Sequence, residues 1–117
     1  MKTLVTGGAG FIGSHLVDRL LSDGHSVTVL DNLSTGRIEN LQSATSNPNL
    51  TVHQVDIAGG VDLGAMFDGV DWVFHLAALA DIVPSIQEPL KYHRSNVDGT
   101  VNVLDASRNA GVKRFIY

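Results

Sequence analysis

The sequence predicts an α/β fold, a doubly wound parallel sheet that is truncated after its fifth strand. The first observation behind this prediction is that short apolar runs alternate with segments of helical periodicity along the chain. Such alternation is typical of a parallel sheet, whose right-handed crossovers place helices on both faces. The second observation is a cluster of glycines at the end of the first apolar run. We expect the strand order 3-2-1-4-5.

The first strands and the first helix follow from composition and spacing. Residues 2–6 are mostly apolar and β-branched, which is typical of a buried strand. Residues 11–22 carry apolar side chains at helical intervals, and the Asp23-Gly24 pair that follows is typical of a helix C-terminus. A second strand is predicted over residues 26–30, where β-branched and apolar side chains again dominate.

The middle of the chain contains weaker signals. Ser34 is a candidate N-cap for a helix over about residues 36–44, and a third strand is predicted over residues 50–55. A short helix over about residues 61–67 precedes the fourth predicted strand, residues 72–75.

One long helix dominates the last part of the chain. Residues 83–87 are expected to form a loop, because prolines lie within and just beyond them. Pro89 suits the first turn of a helix that runs to about residue 110, with Gly111 as its C′ residue. Residues 113–117 then begin a fifth strand.

No linker, repeat or low-complexity segment interrupts the chain, so residues 1–117 are expected to form one domain. A fifth strand that ends at residue 117 would be an unprotected edge beside which further strands normally pair. We therefore expect the N-terminal part of a larger protein. The alternative is that the fifth strand is itself the edge of the sheet.

The composition excludes several classes of function. The chain has 8 Lys and Arg against 12 Asp and Glu, a net charge of −4, which argues against nucleic acid or an anionic membrane as the main partner. Cysteine is absent, so disulfides and thiolate metal sites are excluded, and the five histidines are not spaced as metal ligands. No apolar run is long enough to span a bilayer, and no secretory signal is present. We expect a soluble cytoplasmic protein without a metal site.

The glycine cluster matches the pattern G-x-G-x-x-G over residues 8–13. It follows a predicted strand and opens a predicted helix, which is the context in which this motif binds the pyrophosphate of a dinucleotide. The glycines would allow a tight turn, close approach of the pyrophosphate, and close packing of helix on sheet. The helix N-terminus would offer free N–H groups to the anion. The alternative is a simple glycine-rich turn.

Acidic residues follow the second and third predicted strands. Asp31 lies about twenty residues after the glycine motif, where a carboxylate accepts hydrogen bonds from the adenosine ribose and favours NAD over NADP. Arg37 lies close enough to weaken that preference. Asp56 and Ile57 suit the adenine amino group and ring, but an aspartate after a strand is also common turn chemistry. His75 is expected to be a packed or hydrogen-bonded histidine rather than a catalytic base.

Four segments together resemble the extended short-chain dehydrogenase/reductase family, and within it the nucleotide-sugar epimerases and dehydratases. They are residues 6–14 (TGGAGFIGS), 31–36 (DNLSTG), 75–78 (HLAA) and 96–100 (NVDGT). The resemblance covers essentially the whole chain and implies an NAD-binding Rossmann fold. Residues 31–41 are most similar to UDP-glucose 4-epimerases. A 4,6-dehydratase or a UDP-glucuronate decarboxylase remains an alternative within the family, and a non-catalytic dinucleotide-binding module is an alternative outside it.

The resemblance also implies which residues hold NAD. Residues 11 and 12 would offer backbone N–H groups to the pyrophosphate, residues 31–36 would surround the ribose, and residues 76–80 would line the cofactor. Some epimerases have a lysine at the position of Ala80, so that contact differs here. The implied cofactor-binding residues are Gly7, Gly10, Phe11, Ile12, Gly13, Asp31, Asn32, Leu33, Ser34, Thr35, Gly36, Asp56, Ile57, Leu76, Ala77, Ala78, Leu79, Ala80 and Asn96.

The family's catalytic Tyr-x-x-x-Lys pair and its C-terminal sugar-binding domain are absent from residues 1–117, so no catalytic residue is assigned. The resemblance implies that the full-length protein binds a nucleotide sugar and epimerises it through transient oxidation by NAD. This chain alone is expected to be inactive, and Tyr117 is expected to be a core aromatic. The helix over residues 89–110 is expected to mediate a homodimer, as in the family. The alternative is that this helix packs wholly on its own sheet.

Overall fold

Five parallel strands form a single sheet in the computed structural model, which describes residues 1–117. The sheet order is β3-β2-β1-β4-β5, and every neighbouring pair is parallel. This confirms the predicted α/β architecture and the predicted strand order. The strands are β1 (Lys2–Thr6), β2 (Ser26–Asp31), β3 (Leu50–Gln54), β4 (Trp72–His75) and β5 (Arg114–Ile116).

Helical segments connect the strands. Two short 3₁₀ helices precede β3 and β4, and a π-helical segment, called the π turn below, joins the last two α-helices. The α-helices are α1 (Phe11–Ser22), α2 (Ile82–Gln87), α3 (Pro89–His93) and α4 (Gly99–Ala110); the 3₁₀ helices are Ile38–Ala44 and Gly64–Phe67; the π turn is Arg94–Asp98. None of these helices combines the length and the apolar composition that a membrane span needs.

The core lies on both faces of the sheet, because successive side chains of a strand point to opposite sides. Leu4 of β1 packs with Phe67 and with Val103 of α4 on one face. Val5 packs with Val17 of α1 and with residues of β2 on the other face. Covering both faces explains why the central strands are apolar runs rather than alternating ones.

The register brings the carboxyl ends of three strands to one edge of the sheet. Thr6, the last residue of β1, is level with Leu30 of β2 and with His75 of β4. The chain leaves β1 toward β2 and later returns to β4 on its other side, so the strand order reverses at this point. A crevice at such a switch point is the usual ligand site of open α/β sheets.

Three segments have a different secondary structure from the predicted one: residues 36–44, 61–67 and 83–87. The helices predicted over 36–44 and 61–67 are shorter 3₁₀ helices, and Ser34 is not an N-cap because the extended residue Arg37 precedes the first of them. Residues 83–87 were expected to form a loop, but they belong to α2. Pro84 lies in the first turn of this helix, where its missing N–H removes no intrahelical hydrogen bond.

The long helix predicted over residues 89–110 is also interrupted. The π turn closes with a bond from the N–H of Gly99 to the carbonyl of Arg94, five residues back. The apolar stripe along the π turn and α4 does not pack wholly on the sheet, because Val97, Val101 and Leu104 are 46%, 56% and 44% exposed.

Tyr117 is 89% exposed, so the prediction of a core aromatic was wrong. One face of its ring stacks on His75 with the centroids 5.9 Å apart. This single stacking contact leaves most of the tyrosine side chain in solvent.

Candidate functional site

A cleft opens at the switch point, between the loops that follow β1, β2, β3 and β4. Most of the residues implied as cofactor-binding lie along it. Its lining residues are Gly7, Gly10, Leu30, Asp31, Asn32, Ser34, Thr35, Gly36, Val55, Asp56, Ile57, Leu76, Ala77, Ala78, Leu79 and Ser95. Sequence reasoning missed three of these residues, Leu30, Val55 and Ser95. The implied residues that do not line the cleft are Phe11, Ile12, Gly13, Leu33, Ala80 and Asn96.

The glycines of the first loop have different steric surroundings. Gly7 has φ +69°, and a Cβ there would lie 2.8 Å from the backbone N of Ala77. A Cβ at Gly13 would lie 2.1 Å from the carbonyl oxygen of Gly7, because α1 crosses directly against the loop. A Cβ at Gly10 would meet only that same oxygen, at 3.3 Å. The fold therefore requires glycine at positions 7 and 13, whereas position 10 is the least crowded of the three.

Phe11 and Ile12 begin α1, and their side chains are 79% and 70% exposed. The first N–H groups of a helix have no intrahelical acceptor. The helix dipole adds partial positive charge at the same place. This end of α1 can therefore bind an anion through backbone groups.

Asp31 joins the glycine loop to the loop after β2. It is only 8% exposed, and each of its carboxylate oxygens already accepts a backbone hydrogen bond. Oδ2 accepts from the N–H of Ala9 at 2.9 Å, and Oδ1 accepts from the N–H of Leu33 at 2.8 Å. Leu33 adopts φ +60° to make this turn, and a Cβ at Gly36 would lie 2.9 Å from Oδ2. Each oxygen retains a lone pair that can accept from a ligand hydroxyl.

Asp56 lies at the cleft and is held from two sides. Its Oδ1 accepts from the N–H of Ala58 at 2.9 Å, and its Oδ2 faces the Arg94 guanidinium at 3.4 Å. Arg94 also donates to the carbonyl of Ala58 at 3.2 Å. The neighbouring Ile57 is 8% exposed and packs against Gly99, so most of its side chain belongs to the core.

The segment after β4 forms the opposite wall of the cleft. The hydroxyl of Thr6 accepts from the N–H of Leu76 at 3.1 Å and from the N–H of Ala77 at 3.2 Å. The side chain of Asn96 pairs with the backbone of Leu79 through two hydrogen bonds of 2.8 Å. Asn96, which is predicted to approach the cofactor, lies in the π turn and uses its amide to hold this wall.

His75 is buried beneath this wall, with 4% of its surface exposed. Its Nδ1 lies 2.7 Å from the Thr6 hydroxyl, and its Nε2 lies 2.8 Å from the Thr100 hydroxyl. Burial lowers the pKa of the His75 imidazole below its usual value of 6.5. This agrees with the prediction of a hydrogen-bonded histidine. No signal in the sequence identified Thr6 and Thr100 as neighbours of His75. None identified Arg94 as a neighbour of Asp56 either.

We expect acid to destabilise the protein partly through His75. Between the lowered pKa of the folded state and about 6.5 in the unfolded state, the unfolded chain binds more protons. The free energy of unfolding therefore falls as the pH drops below about 6.5. Urea unfolding of the unchanged protein and of His75→Gln between pH 7.5 and 5 measures this. A pH dependence that is the same in both proteins would contradict the prediction.

Comparison with known proteins identifies the family. The profile of the NAD dependent epimerase/dehydratase family matches residues 3–117. The chain belongs to this family. It is 45% identical over 118 residues to a UDP-glucose 4-epimerase of Mycolicibacterium smegmatis, covering 100% of this chain and 38% of that protein. It is 42% identical over 113 residues to UDP-glucuronic acid decarboxylase 2 of Arabidopsis thaliana, covering 97% and 24%.

Solved structures of the family agree in fold. A UDP-N-acetylglucosamine 4-epimerase from Methanobrevibacter ruminantium superposes with a TM-score of 0.92 at 43% identity, covering 99% of this chain and 36% of that one. A dTDP-glucose 4,6-dehydratase from Streptomyces venezuelae, solved with NAD bound, gives 0.91 at 38% identity, covering 98% and 38%. The fold is therefore the Rossmann fold that the resemblance implied. The chain spans well under half the length of these enzymes.

Proposed function

We propose that this chain is the NAD-binding part of a nucleotide-sugar epimerase of the UDP-glucose 4-epimerase type. The observation that carries the proposal is the buried carboxylate of Asp31, which faces the cleft beside the glycine loop with a lone pair free on each oxygen. The family is NAD-dependent, and the 45% identity to a UDP-glucose 4-epimerase supports this reaction. A decarboxylase or 4,6-dehydratase is the second candidate, because relatives with those names are 42% and 38% identical.

The residues present fit NAD. Gly10 lines the cleft at a position where only one protein atom lies near the place of an added Cβ, which is what close approach of a pyrophosphate requires. The backbone N–H groups at the start of α1 would bind its phosphates, and Asp31 would accept from the adenosine ribose. Asp56 would accept from the adenine amino group. The implied residues that do not line the cleft would contribute to NAD binding through backbone groups or through their neighbours; these are Phe11, Ile12, Gly13, Leu33 and Ala80. Asn96 would contribute by holding Leu79, which lines the cleft.

Asp31 also favours NAD over NADP in this proposal. A carboxylate that accepts from the ribose hydroxyls would repel a 2′-phosphate at the same place. NAD, when bound, supplies the group that takes up and returns a hydride. The chain's own residues bind and orient it.

The remaining parts of the proposal concern the longer protein. Residues 1–117 would be the N-terminal portion of the Rossmann domain, and the Tyr-x-x-x-Lys segment and the substrate domain would lie outside it. We propose a nucleotide sugar as the substrate and a cytoplasmic location. The exposed residues Val97, Val101 and Leu104 would contribute to a homodimer.

Calorimetric titration of this chain with NAD, with NADP as the control ligand, tests the proposal. We expect NAD to bind at least about tenfold more tightly than NADP, about 1.4 kcal/mol. Gly10→Ala should weaken NAD binding by a similar factor with little change in thermal stability, because its Cβ meets only one protein atom at 3.3 Å. Absence of NAD binding to a folded chain would overturn the proposal.

Activity assays of the longer protein distinguish the two candidate reactions. Conversion of UDP-glucose to UDP-galactose would support the epimerase, and release of CO₂ from UDP-glucuronic acid would support the decarboxylase. We expect the 117-residue chain to catalyse neither reaction, because it contains no Tyr-x-x-x-Lys pair.

A further inference from the structure

A continuous chain of hydrogen bonds runs beneath one wall of the cleft. Thr6 at the end of β1 contacts Nδ1 of His75 at 2.7 Å, and Nε2 of His75 contacts the Thr100 hydroxyl at 2.8 Å. Thr100 in turn donates to the carbonyl of Asn96 in the π turn at 2.5 Å. This series of hydrogen bonds therefore connects the ends of β1 and β4 with α4, which packs beside them.

The direction of every bond in this chain is determined by counting donors and acceptors. The Asn96 carbonyl can only accept, so the Thr100 O–H is donated to it. Nε2 of His75 therefore carries a hydrogen, which it donates to the Thr100 oxygen. Nδ1 is the one acceptor that the Thr6 O–H reaches, because the other partners of this hydroxyl are backbone N–H groups. Only the neutral Nε2–H tautomer of His75 satisfies all of these partners.

The same series of hydrogen bonds fixes both ends of the cleft wall, residues 76–79. At the first end, Thr6 holds the N–H groups of Leu76 and Ala77. At the second end, the Asn96 side chain holds Leu79. Because Thr100 bonds to the Asn96 carbonyl, the two ends are joined through His75.

Thr6, His75 and Thr100 do not line the cleft themselves, whereas residues 76–79 do. We propose that these three side chains are positioning residues that set the affinity of the cleft for its dinucleotide by fixing the backbone of residues 76–79. The inference rests on the proposed NAD binding. It adds residues that touch no cofactor and act only through the wall.

A matched pair of variants on β1 tests the proposal. Thr3 and Thr6 are both fully buried, and both hydroxyls are hydrogen-bonded, but Thr3 donates to Ser26 at the opposite end of the strand. Thr3→Val and Thr6→Val should both lower the melting temperature. Only Thr6→Val should also weaken NAD binding, by about tenfold, because it removes the acceptor of the Ala77 N–H, while the Leu76 N–H keeps the backbone carbonyl of residue 6.

Thr100 provides a rescue experiment. Thr100→Val should weaken NAD binding several-fold, and Thr100→Ser, which keeps the hydroxyl, should restore it. Nitrogen-15 NMR of the His75 ring should show the neutral Nε2–H tautomer in the unchanged protein.

The outcomes separate this inference from the proposed function. Unchanged NAD affinity in Thr6→Val and Thr100→Val, with NAD bound normally by the unchanged protein, would overturn the inference alone. A protonated Nδ1 at neutral pH would also overturn it, because the Thr6 O–H would then lose its acceptor. Failure of the unchanged protein to bind NAD would overturn the proposed function and the inference together.

Discussion

Gly13→Ala is expected to destabilise the protein more than any other single-methyl addition in the glycine loop. The added Cβ would lie 2.1 Å from the carbonyl oxygen of Gly7 and 2.8 Å from Cα of Gly8. Both are backbone atoms, so no side chain can rotate to relieve the contact. The loop is also tied to β2 by the bond from Gly7 N–H to the Leu30 carbonyl at 2.8 Å.

The helix cannot move away without cost either. Val17 of α1 is fully buried and Leu20 is 8% exposed, and both pack against the sheet. Shifting α1 outward by the distance that a methyl group needs would open this half of the core. We expect a loss of about 3 kcal/mol or more, against a total stability of roughly 5–15 kcal/mol for a domain.

Urea unfolding followed by circular dichroism measures this loss. Gly10→Ala is the matched control, because its Cβ meets only one atom, at 3.3 Å, and its backbone (φ −75°, ψ 178°) is accessible to alanine. We expect Gly10→Ala to stay within about 0.5 kcal/mol of the unchanged protein. Equal unfolding midpoints for the two variants would show that the close approach of α1 to the loop is not a constraint of the fold.

These two glycines show what the sequence could and could not predict. The motif G-x-G-x-x-G in its strand-to-helix context predicted the position of the cleft and the need for close packing. It did not predict which glycine serves the fold and which leaves space for a ligand. That distinction depends on where the Gly7 carbonyl points, which only the folded backbone determines.

The sheet was predictable because its signals are local. Each strand is a short apolar run, and right-handed crossovers restrict the order in which such runs can pair. The order β3-β2-β1-β4-β5 was therefore predicted correctly. The helix ends were less predictable, because Pro84 is compatible with a loop and with the first turn of a helix.

The supports of the cleft could not be predicted, since they join residues that are distant in sequence. Thr6 and His75 are 69 residues apart, and Arg94 and Asp56 are 38 apart. No spacing rule connects such pairs. The π turn could not be predicted either, because its residues also suit an ordinary α-helix and only the backbone bond from Gly99 to Arg94 distinguishes it.

Asp31 is expected to show the second large effect, because one carboxylate has two roles. In Asp31→Ala, the N–H of Ala9 loses its acceptor in a buried place, and the N–H of Leu33 loses its acceptor in a partly buried one. Each unpaired buried group costs about 1–3 kcal/mol. We expect Asp31→Ala to lose roughly 2–4 kcal/mol of stability and to bind NAD poorly. Its loss of binding would therefore not by itself identify a ribose contact.

Asp31→Asn separates the two roles. Its amide keeps one acceptor oxygen and nearly the same shape, but it carries no charge. We expect a smaller loss of stability and a clear change in selectivity, with the ratio of NADP to NAD dissociation constants falling by about tenfold. The reason is that a neutral amide does not repel a 2′-phosphate as a carboxylate does.

Calorimetry with both nucleotides measures this ratio, and Asp62→Asn is the matched control. Asp62 also accepts a backbone N–H two residues on, from Gly64 at 2.9 Å, but it lies outside the cleft. It should leave the ratio unchanged. If Asp31→Asn loses stability yet keeps the ratio of the unchanged protein, the carboxylate serves only to join the two loops. The selectivity for NAD must then come from another residue near the ribose, and Arg37 cannot supply it because its positive charge would attract a 2′-phosphate.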